Sequence, residues 1–597
     1  MRSRKLLALI FSLLAIAPAL AGYMTLLGAG VGSIAPVVSW VSTTDPTFPS
    51  SSLTFSRTSL ATMFDSTGKL TYAPNNLLTQ SNTFSNVAWA KQFTTVASGA
   101  TDRLGGTSAW TVTATSANGQ LYAGISVSTA ASTNFIPSLW IKRRTGTGNI
   151  KFYNPAATVA TIIAVDNTWK QFYIPGLGTG TSAYITLLIE TSGDAVDISE
   201  AGLSAVTYET TPRTADQVIT TSSAYYGPRI DYDPNTLAVK GLLIEEARTN
   251  YAFPSQALAG WSPTGVAVSD NSVASPSGAT NASTITGIAG ASQHNIQTLF
   301  TIPAGVNTGS YFVKYGNHRW IAVAIFDGGW KLQTFDMLNG VKGSTTTAGV
   351  IATMTPLANG WYRASVTYTT TGASAYLGFF LLGGDNSTLS WAAAGTEIAY
   401  AFGAQFEPGS FATSYIPTAA ASVTRAADVV QFTGAALTAL QGSAWSAAVQ
   451  FADVASYAGN PSIFDTSSNL QTVFMNGNKA AFFPTSLNTA NGLSVLASHR
   501  IAASATRSGG RSIVSDGGTV ATDATAMTSP PNTYLGSNVG AGNFLNGHVA
   551  SFAIYNQRLP DATLQAKSVV GASYAANDNG LRFADNDNLP IHWRVAL

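Results

Sequence analysis

Three observations predict an all-β chain built as tandem antiparallel β-sandwiches (jelly rolls) in several domains. Apolar and polar residues alternate with period two in short runs, as in Tyr184-Ile185-Thr186-Leu187-Leu188-Ile189-Glu190 and Tyr362-Arg363-Ala364-Ser365-Val366-Thr367-Tyr368-Thr369. The 55 Gly and 24 Pro punctuate these runs as turns. A long internal repeat duplicates one strand-rich unit. Strong helical periodicity is hard to find.

The 597 residues suffice for roughly three or four domains of about 100–200 residues each. Charged residues make up 10% of the chain and the net charge is +1. No basic field exists to hold nucleic acid, and solubility falls to Ser, Thr, Asn and Gly. The bland account of so little charge is compositional bias in the source. Cysteine is absent, which excludes disulfides, thiolate zinc sites and a Cys nucleophile. The five His are scattered, with no His-Glu-x-x-His arrangement.

The chain order is read as follows. Residues 1–49 form an apolar, signal-like or anchoring segment. Met1-Arg2-Ser3-Arg4-Lys5 precedes an apolar run, and Ala19-Leu20-Ala21 has small-x-small cleavage spacing. The alternative is a retained anchor or apolar plug, since no charge occurs between Leu6 and Asp45. Residues 50–74 are a β-hairpin linker unit, 75–218 a first sandwich, 219–248 a second linker unit and 249–429 a second sandwich. The two sandwiches are the copies of the repeat. Each opens on an Asn, places a Trp soon after (Trp89, Trp261), and carries a strand ending in Lys. That strand is Leu139-Trp140-Ile141-Lys142 in one and Tyr311-Phe312-Val313-Lys314 in the other; a second Trp follows an Asn (Trp169, Trp361). Residues 430–573 form a third sandwich, and 574–597 are a polar tail.

Several phrases resemble the signature of bacteriophage tail-fibre and tail-associated structural proteins with carbohydrate-binding-module-like sandwiches. They are Gly241-Leu242-Leu243-Ile244-Glu245-Glu246-Ala247-Arg248-Thr249-Asn250, the stretch 403–418 ending Thr413-Ser414-Tyr415-Ile416-Pro417-Thr418, and Arg425-Ala426-Ala427-Asp428. Upstream, Phe55-Ser56-Arg57-Thr58 is similar to that family's opening phrase, and Pro228-Arg229-Ile230-Asp231 to the piece that usually abuts it. Here the first sandwich splits those pieces, so 50–74 and 225–248 are expected to meet as one β-unit. The ending, with Gly547-His548-Val549-Ala550-Ser551-Phe552-Ala553-Ile554-Tyr555-Asn556 and a helix over 562–570, resembles a laminin-G/concanavalin-A-like jelly roll. The resemblance implies a virion protein of the tail that attaches to host surface polysaccharide. It would sit among other virion proteins as a homo-oligomer, a trimer being the common fibre state.

Sugar binding needs flat rings beside planar polar groups. Trp320 and Trp330 flank a turn at Asp327-Gly328-Gly329, with Asn317, His318 and Arg319 adjacent, and Trp140 is the comparable place in the first copy. The bland reading is that these Trp fill cores. Asp194, Asp197 and Glu397 are candidate ligands for a structural Ca²⁺, or solvated loop acids; no other cofactor is expected. Glu245-Glu246 read as structural residues joining units. Neither a nucleophile elbow nor a phosphate loop is present, so no catalytic residue is expected. The rival functions are a secreted or membrane-anchored glycan-binding adhesin, a polysaccharide depolymerase and a purely architectural role.

Overall fold

Strands fall where alternation places them. The computed structural model describes residues 35–573 except 127–132, 179–181, 467–471, 485, 531 and 539–541. The signal or anchor reading of the first residues and the polar tail 574–597 lie outside these. Tyr184 to Ile189 lies in strand Ser182–Ile189, with Glu190 just past its end, and Trp361–Thr370 contains the second alternating run. The chain is all-β with antiparallel pairing throughout its sheets. Among the described residues no helix is long and apolar enough to cross a membrane.

The two copies share one topology. In the first, one sheet orders its strands Lys170–Tyr173, Asn134–Thr145, Ala195–Val206, Ala109–Ala114, Thr94–Ala100. In the second, the matching sheet orders Trp361–Thr370, Gly305–Tyr315, Ile398–Pro408, Thr280–Gly287, Val266–Ala274. These are called the Trp140 sheet and the Phe312 sheet. The opposing sheets match too, with Ile150–Tyr153, Ser182–Ile189 and Gly119–Ser126 set against Trp320–Phe326, Ser374–Leu381 and Gly290–Thr301. The last of these belong to the Trp330 sheet. Each sandwich closes on its own apolar core, with inward residues alternating along every strand.

Matching side chains do matching work. The Asn76 amide donates to Ala201 O (3.1 Å) and Val218 O (2.9 Å) and accepts from Leu203 N–H (3.1 Å). Asn250 donates to Ala404 O (3.1 Å) and Ile416 O (2.8 Å) and accepts from Phe406 N–H (2.9 Å). Trp89 and Trp261 are buried, and their indoles donate to Gln80 O and Pro254 O, both at 2.9 Å. Buried amides and indoles must find partners, so this spacing survived the duplication.

The third sandwich draws on the whole chain. One sheet joins Gly547–Tyr555 to Ala444–Ala452, to Val239–Ile244 and to Val38–Val41. The other begins Leu53–Ser56, Val429–Phe432, Thr533–Leu535. Trp40, Leu53, Leu242 and Ile244 therefore sit in one core with Trp445 and Phe552. Segments read as leader and linker are strands of this sandwich, and the two copies are excursions out of it. The pieces 50–74 and 225–248 do meet: Gly227 N–H donates to Pro74 O (2.7 Å), and Phe64 N–H donates to Asp231 (2.7 Å). The expected closing helix spans Asp561–Lys567.

The ends of both excursions converge on one buried charge cluster. Asp428 accepts from Arg57 (2.8 Å) and Arg229. Glu245 accepts from Arg229 (2.6 Å), Arg425, and Ser414 N–H (2.8 Å) and O–H (2.7 Å). The Arg229, Arg425 and Asp428 side chains have no exposed surface. Burial pushes the Glu245 and Asp428 carboxyls up, but the guanidiniums more than reverse this and hold both below the usual carboxylate range. The Glu245 contribution to stability is thus complete above its ordinary value of 4.5 and is lost as pH falls below it. Removing one partner of a buried pair costs about 3–5 kcal/mol. Asp428→Ala is expected to destabilise the full chain by about that amount in denaturant titration, and wild-type stability is expected to fall progressively below pH 4.5.

Candidate functional site

The Trp330 sheet turns one face to the core and one outward. Ile321, Val323, Ile325, Leu377 and Phe379 point inward into the core. Period two then sends Trp320, Ala322, Ala324, Phe326, Tyr376, Gly378 and Phe380 outward. The turn at Asp327-Gly328-Gly329 forms as expected and joins Trp320–Phe326 to Trp330–Asp336.

Register assembles the outward residues into rows. Trp330 lies opposite Phe326, Phe326 opposite Tyr376, and Tyr376 opposite Leu299. Four neighbouring strands thus carry one transverse apolar row about 14 Å wide, from three steps of about 4.8 Å. The Trp330, Phe326 and Tyr376 rings are half-buried and Leu299 is exposed. Their edges lock each other: Trp330 meets Phe326 at 5.2 Å and Phe380 at 4.8 Å, and Phe326 meets Tyr376 at 5.9 Å, all near perpendicular. Such edge-to-face contacts favour fixed rings. Polar groups lie on both sides: Gln297 in the next row, and exposed Thr301 and Ser374 paired beyond the Tyr376–Leu299 step.

Trp320 and Trp330 share this face but start opposite ends of the hairpin, about 20 Å apart at 3.3 Å per residue. Trp320 packs against the cluster of Ala322, Ala324, Phe380 and Leu382, while Arg319 stacks on it at 5.0 Å and pairs with Asp336 (2.7 Å). Asn317 staples two segments: its amide donates to Thr396 O (2.8 Å) and accepts from Ile398 N–H (2.7 Å). His318 stacks on Trp391 at 5.6 Å, and burial pushes its imidazole down, keeping it neutral near pH 7. The five residues read as one cluster therefore split: Trp330 joins the row, and Asn317, His318, Arg319 and Trp320 brace the far end. Phe326, Tyr376 and Leu299 escaped the sequence reading because only cross-strand register brings them beside Trp330. Trp140 lies on the outer face of the Trp140 sheet, with the Arg103 guanidinium 4.9 Å above its ring.

The three carboxylates considered for calcium are spent on other partners. Asp194 accepts from Gly148 N–H (2.7 Å) and faces Arg143 (3.3 Å). Asp197 takes Thr111 O–H (2.7 Å) and Arg144 (3.1 Å). Glu397 takes the N–H groups of Ala394 (2.7 Å), Gly395 (2.9 Å) and Thr396 (3.0 Å). Calcium wants six to eight oxygens. Among the described residues no group of three or more His, Asp or Glu could hold a metal.

A cleft of about 690 Å³ separates the second sandwich from the third. Asp231 and Asp453 face each other there, but the His548 ring fills the space between them, 2.9 Å from one and 3.1 Å from the other. Burial pushes the Asp453 carboxyl up, and His548 with Lys240 more than reverses it. This clasp ties strand Ile230–Tyr232 to Gly547–Tyr555 and leaves no gap for a glycosidic bond between the acids.

No protein-family model and no curated protein matches the chain. Among solved structures it is similar to the CBM22 (carbohydrate-binding module) and GH10 modules of the Clostridium thermocellum N-terminal endo-1,4-β-D-xylanase 10B, complexed with xylohexaose. That likeness has 16% identity, covers 24% of this chain and 30% of that one, and has TM-score 0.18. It is also similar to the N-terminal CBM22 tandem domain of Paenibacillus barcinonensis Xyn10C, at 10% identity over 56% of this chain and 98% of that one, TM-score 0.18.

The row depends on a glycine. A Cβ at Gly378 would lie 3.0 Å from the Trp330 ring and 2.8 Å from Phe380, so Gly378→Ala is expected to displace Trp330. A changed tryptophan emission spectrum with a far-UV spectrum unaltered would record this.

Proposed function

We propose that this chain is a structural protein of a bacteriophage tail that attaches to host surface glycans by non-covalent binding. The observation that carries the glycan reading is the row Trp330–Phe326–Tyr376–Leu299. Locked, half-exposed rings offer apolar faces to pyranose C–H groups, and Gln297, Thr301 and Ser374 offer hydroxyl partners at the margin. A row that crosses four neighbouring strands suits a chain laid along it. Carboxylates tied to cations and N–H donors favour binding over bond cleavage.

The tail reading rests on the sequence phrases whose charged residues converge at Arg57, Arg229, Glu245, Arg425 and Asp428. Each site is expected to be weak, on the order of millimolar, about −4 kcal/mol. Several copies on one particle, as in a trimer bound to other virion proteins, raise the effective affinity without new contacts.

Affinity electrophoresis of the full chain through gels containing host surface polysaccharide tests the row. Trp330→Ala and Tyr376→Ala are each expected to weaken retention about tenfold or more, as for aromatic residues at the centre of a binding surface. Unchanged retention in both would remove the row from the account. Immunogold microscopy with an antibody to 430–573 is expected to label particle tails. Cleavage after Ala21 in mature protein from bacterial supernatants, with unlabelled particles, would favour the secreted adhesin.

A further inference from the structure

We propose a second site on the first sandwich, for a glycan bearing carboxylates such as a hexuronate oligomer; it rests on the reading that these sandwiches bind glycans. The site is the outer face of the Trp140 sheet around Trp140 and Trp169.

The duplication supplies the first argument. Lys314 lies opposite Trp361, and the pairing of Ile141 with Lys170 puts Lys142 opposite Trp169. Trp140 thereby stands where Phe312 stands in the second copy. There the face is roofed: Phe312, Trp361 and Phe402 pack under Leu70, Leu357 and Tyr415, and the Trp361 indole donates to Ala274 O at 3.2 Å. Neither Trp140 nor Trp169 belongs to a hydrophobic cluster of the described residues.

The second argument is a set of shielded polar atoms without partners. Trp140 Nε1, Trp169 Nε1, Gln171 Nε2 and Ser199 Oγ lack any hydrogen bond. They are neighbours, because Trp140 pairs with Gln171 on one side and with Ser199 on the other. Ser199 is wholly buried. Unpartnered buried polar groups are costly, and a ligand that brings acceptors to this patch would relieve four of them together.

Chemistry then narrows the ligand. Three of the four atoms are N–H donors, and the fourth, a hydroxyl, can donate. Arg103 lies over Trp140 at 4.9 Å and Lys142 over Trp169 at 5.0 Å. With Arg144, these three cations face the carboxylates of Asp197 and Glu200, while neighbouring Asp102 is satisfied by Ser108 and by the N–H groups of Leu104 and Gly106, so a ligand carboxylate would meet cations rather than a free acid. The matching ligand has a flat apolar face, several acceptors and a negative charge, as a uronate pyranose does. Arg103 and Lys142 are partly exposed on flexible stems. A ligand carboxylate can draw them off the rings by side-chain rotation alone.

Calorimetric titration of the full chain with oligogalacturonate and with its neutral methyl ester tests the site. The acid form is expected to bind, and the ester at least about tenfold more weakly. Trp140→Phe with Trp169→Phe keeps an aromatic ring at each position and deletes both indole donors; it is expected to cost a similar factor for the acid form. Should the double variant unfold by circular dichroism, Lys142→Met, which keeps the stem over Trp169 without its charge, is expected to weaken binding likewise. Equal affinity for acid and ester, equal affinity for a sulfated neutral glycan, or insensitivity to these substitutions overturns the uronate site while leaving the Trp330 row standing. Failure of the full chain to bind any host polysaccharide removes the glycan reading itself.

Discussion

The buried cluster of Arg57, Arg229, Arg425, Glu245 and Asp428 is the constraint on which the architecture depends. Five charges from distant parts of the sequence, in a chain only 10% charged, meet in a buried cluster at the point where three sandwiches join. Asp428 grips Arg57 and Arg229, the departure and return of the first excursion. Glu245 grips Arg229 and Arg425, and so spans both ends of the second. Desolvating such groups is expensive, and a buried pair is weak evidence of net stability over an apolar substitute. Its value here is registration. Any mispairing of the ends would strand a charge in the interior, so the cluster selects one way of closing two long excursions onto a shared sandwich.

With the ends fixed, duplication could diverge on the surface. The core devices are retained, from Asn76 and Asn250 to Trp89 and Trp261. The outer faces are not. In the second copy the Phe312 sheet is covered by the hairpin carrying Leu70, and its partner sheet displays the aromatic row. In the first copy the equivalent of the covered sheet carries Trp140, Trp169 and a group of cations instead. One inherited frame thus presents two chemically different surfaces, one apolar with neutral polar margins and one rich in donors and positive charge.

Local pattern carried much of this into the sequence. Alternation located the strands, the Asp327-Gly328-Gly329 turn was legible from its glycines, and the repeat was visible through its Trp and Asn spacing. Glu245, read as a residue that joins units, bridges Arg229, Arg425 and Ser414, whereas the Glu246 carboxylate pairs with Arg248 two residues on. What stayed hidden is non-local. Nothing near Val38–Val41 or Val239–Ile244 says that both will pair with Gly547–Tyr555. Trp320 and Trp330 flank one hairpin in sequence, yet an antiparallel register sets them at its opposite ends. Tyr376 and Leu299 become neighbours of Phe326 only through pairings between separate segments. Asn317 has the polarity of a ligand group, but its amide is consumed by backbone on both sides, a pairing that only the folded chain creates.

On the proposed function, glycan lies on outward sheet faces and is not cleaved in the interior cleft. Hydrogen–deuterium exchange of the full chain, with and without host surface polysaccharide, reads it directly. The account predicts protection concentrated on Gly290–Thr301, Trp320–Phe326, Trp330–Asp336 and Ser374–Leu381, with the polysaccharide recovered at its original length. Protection centred on Asp231, Asp453 and His548, accompanied by shortened polysaccharide, would contradict it.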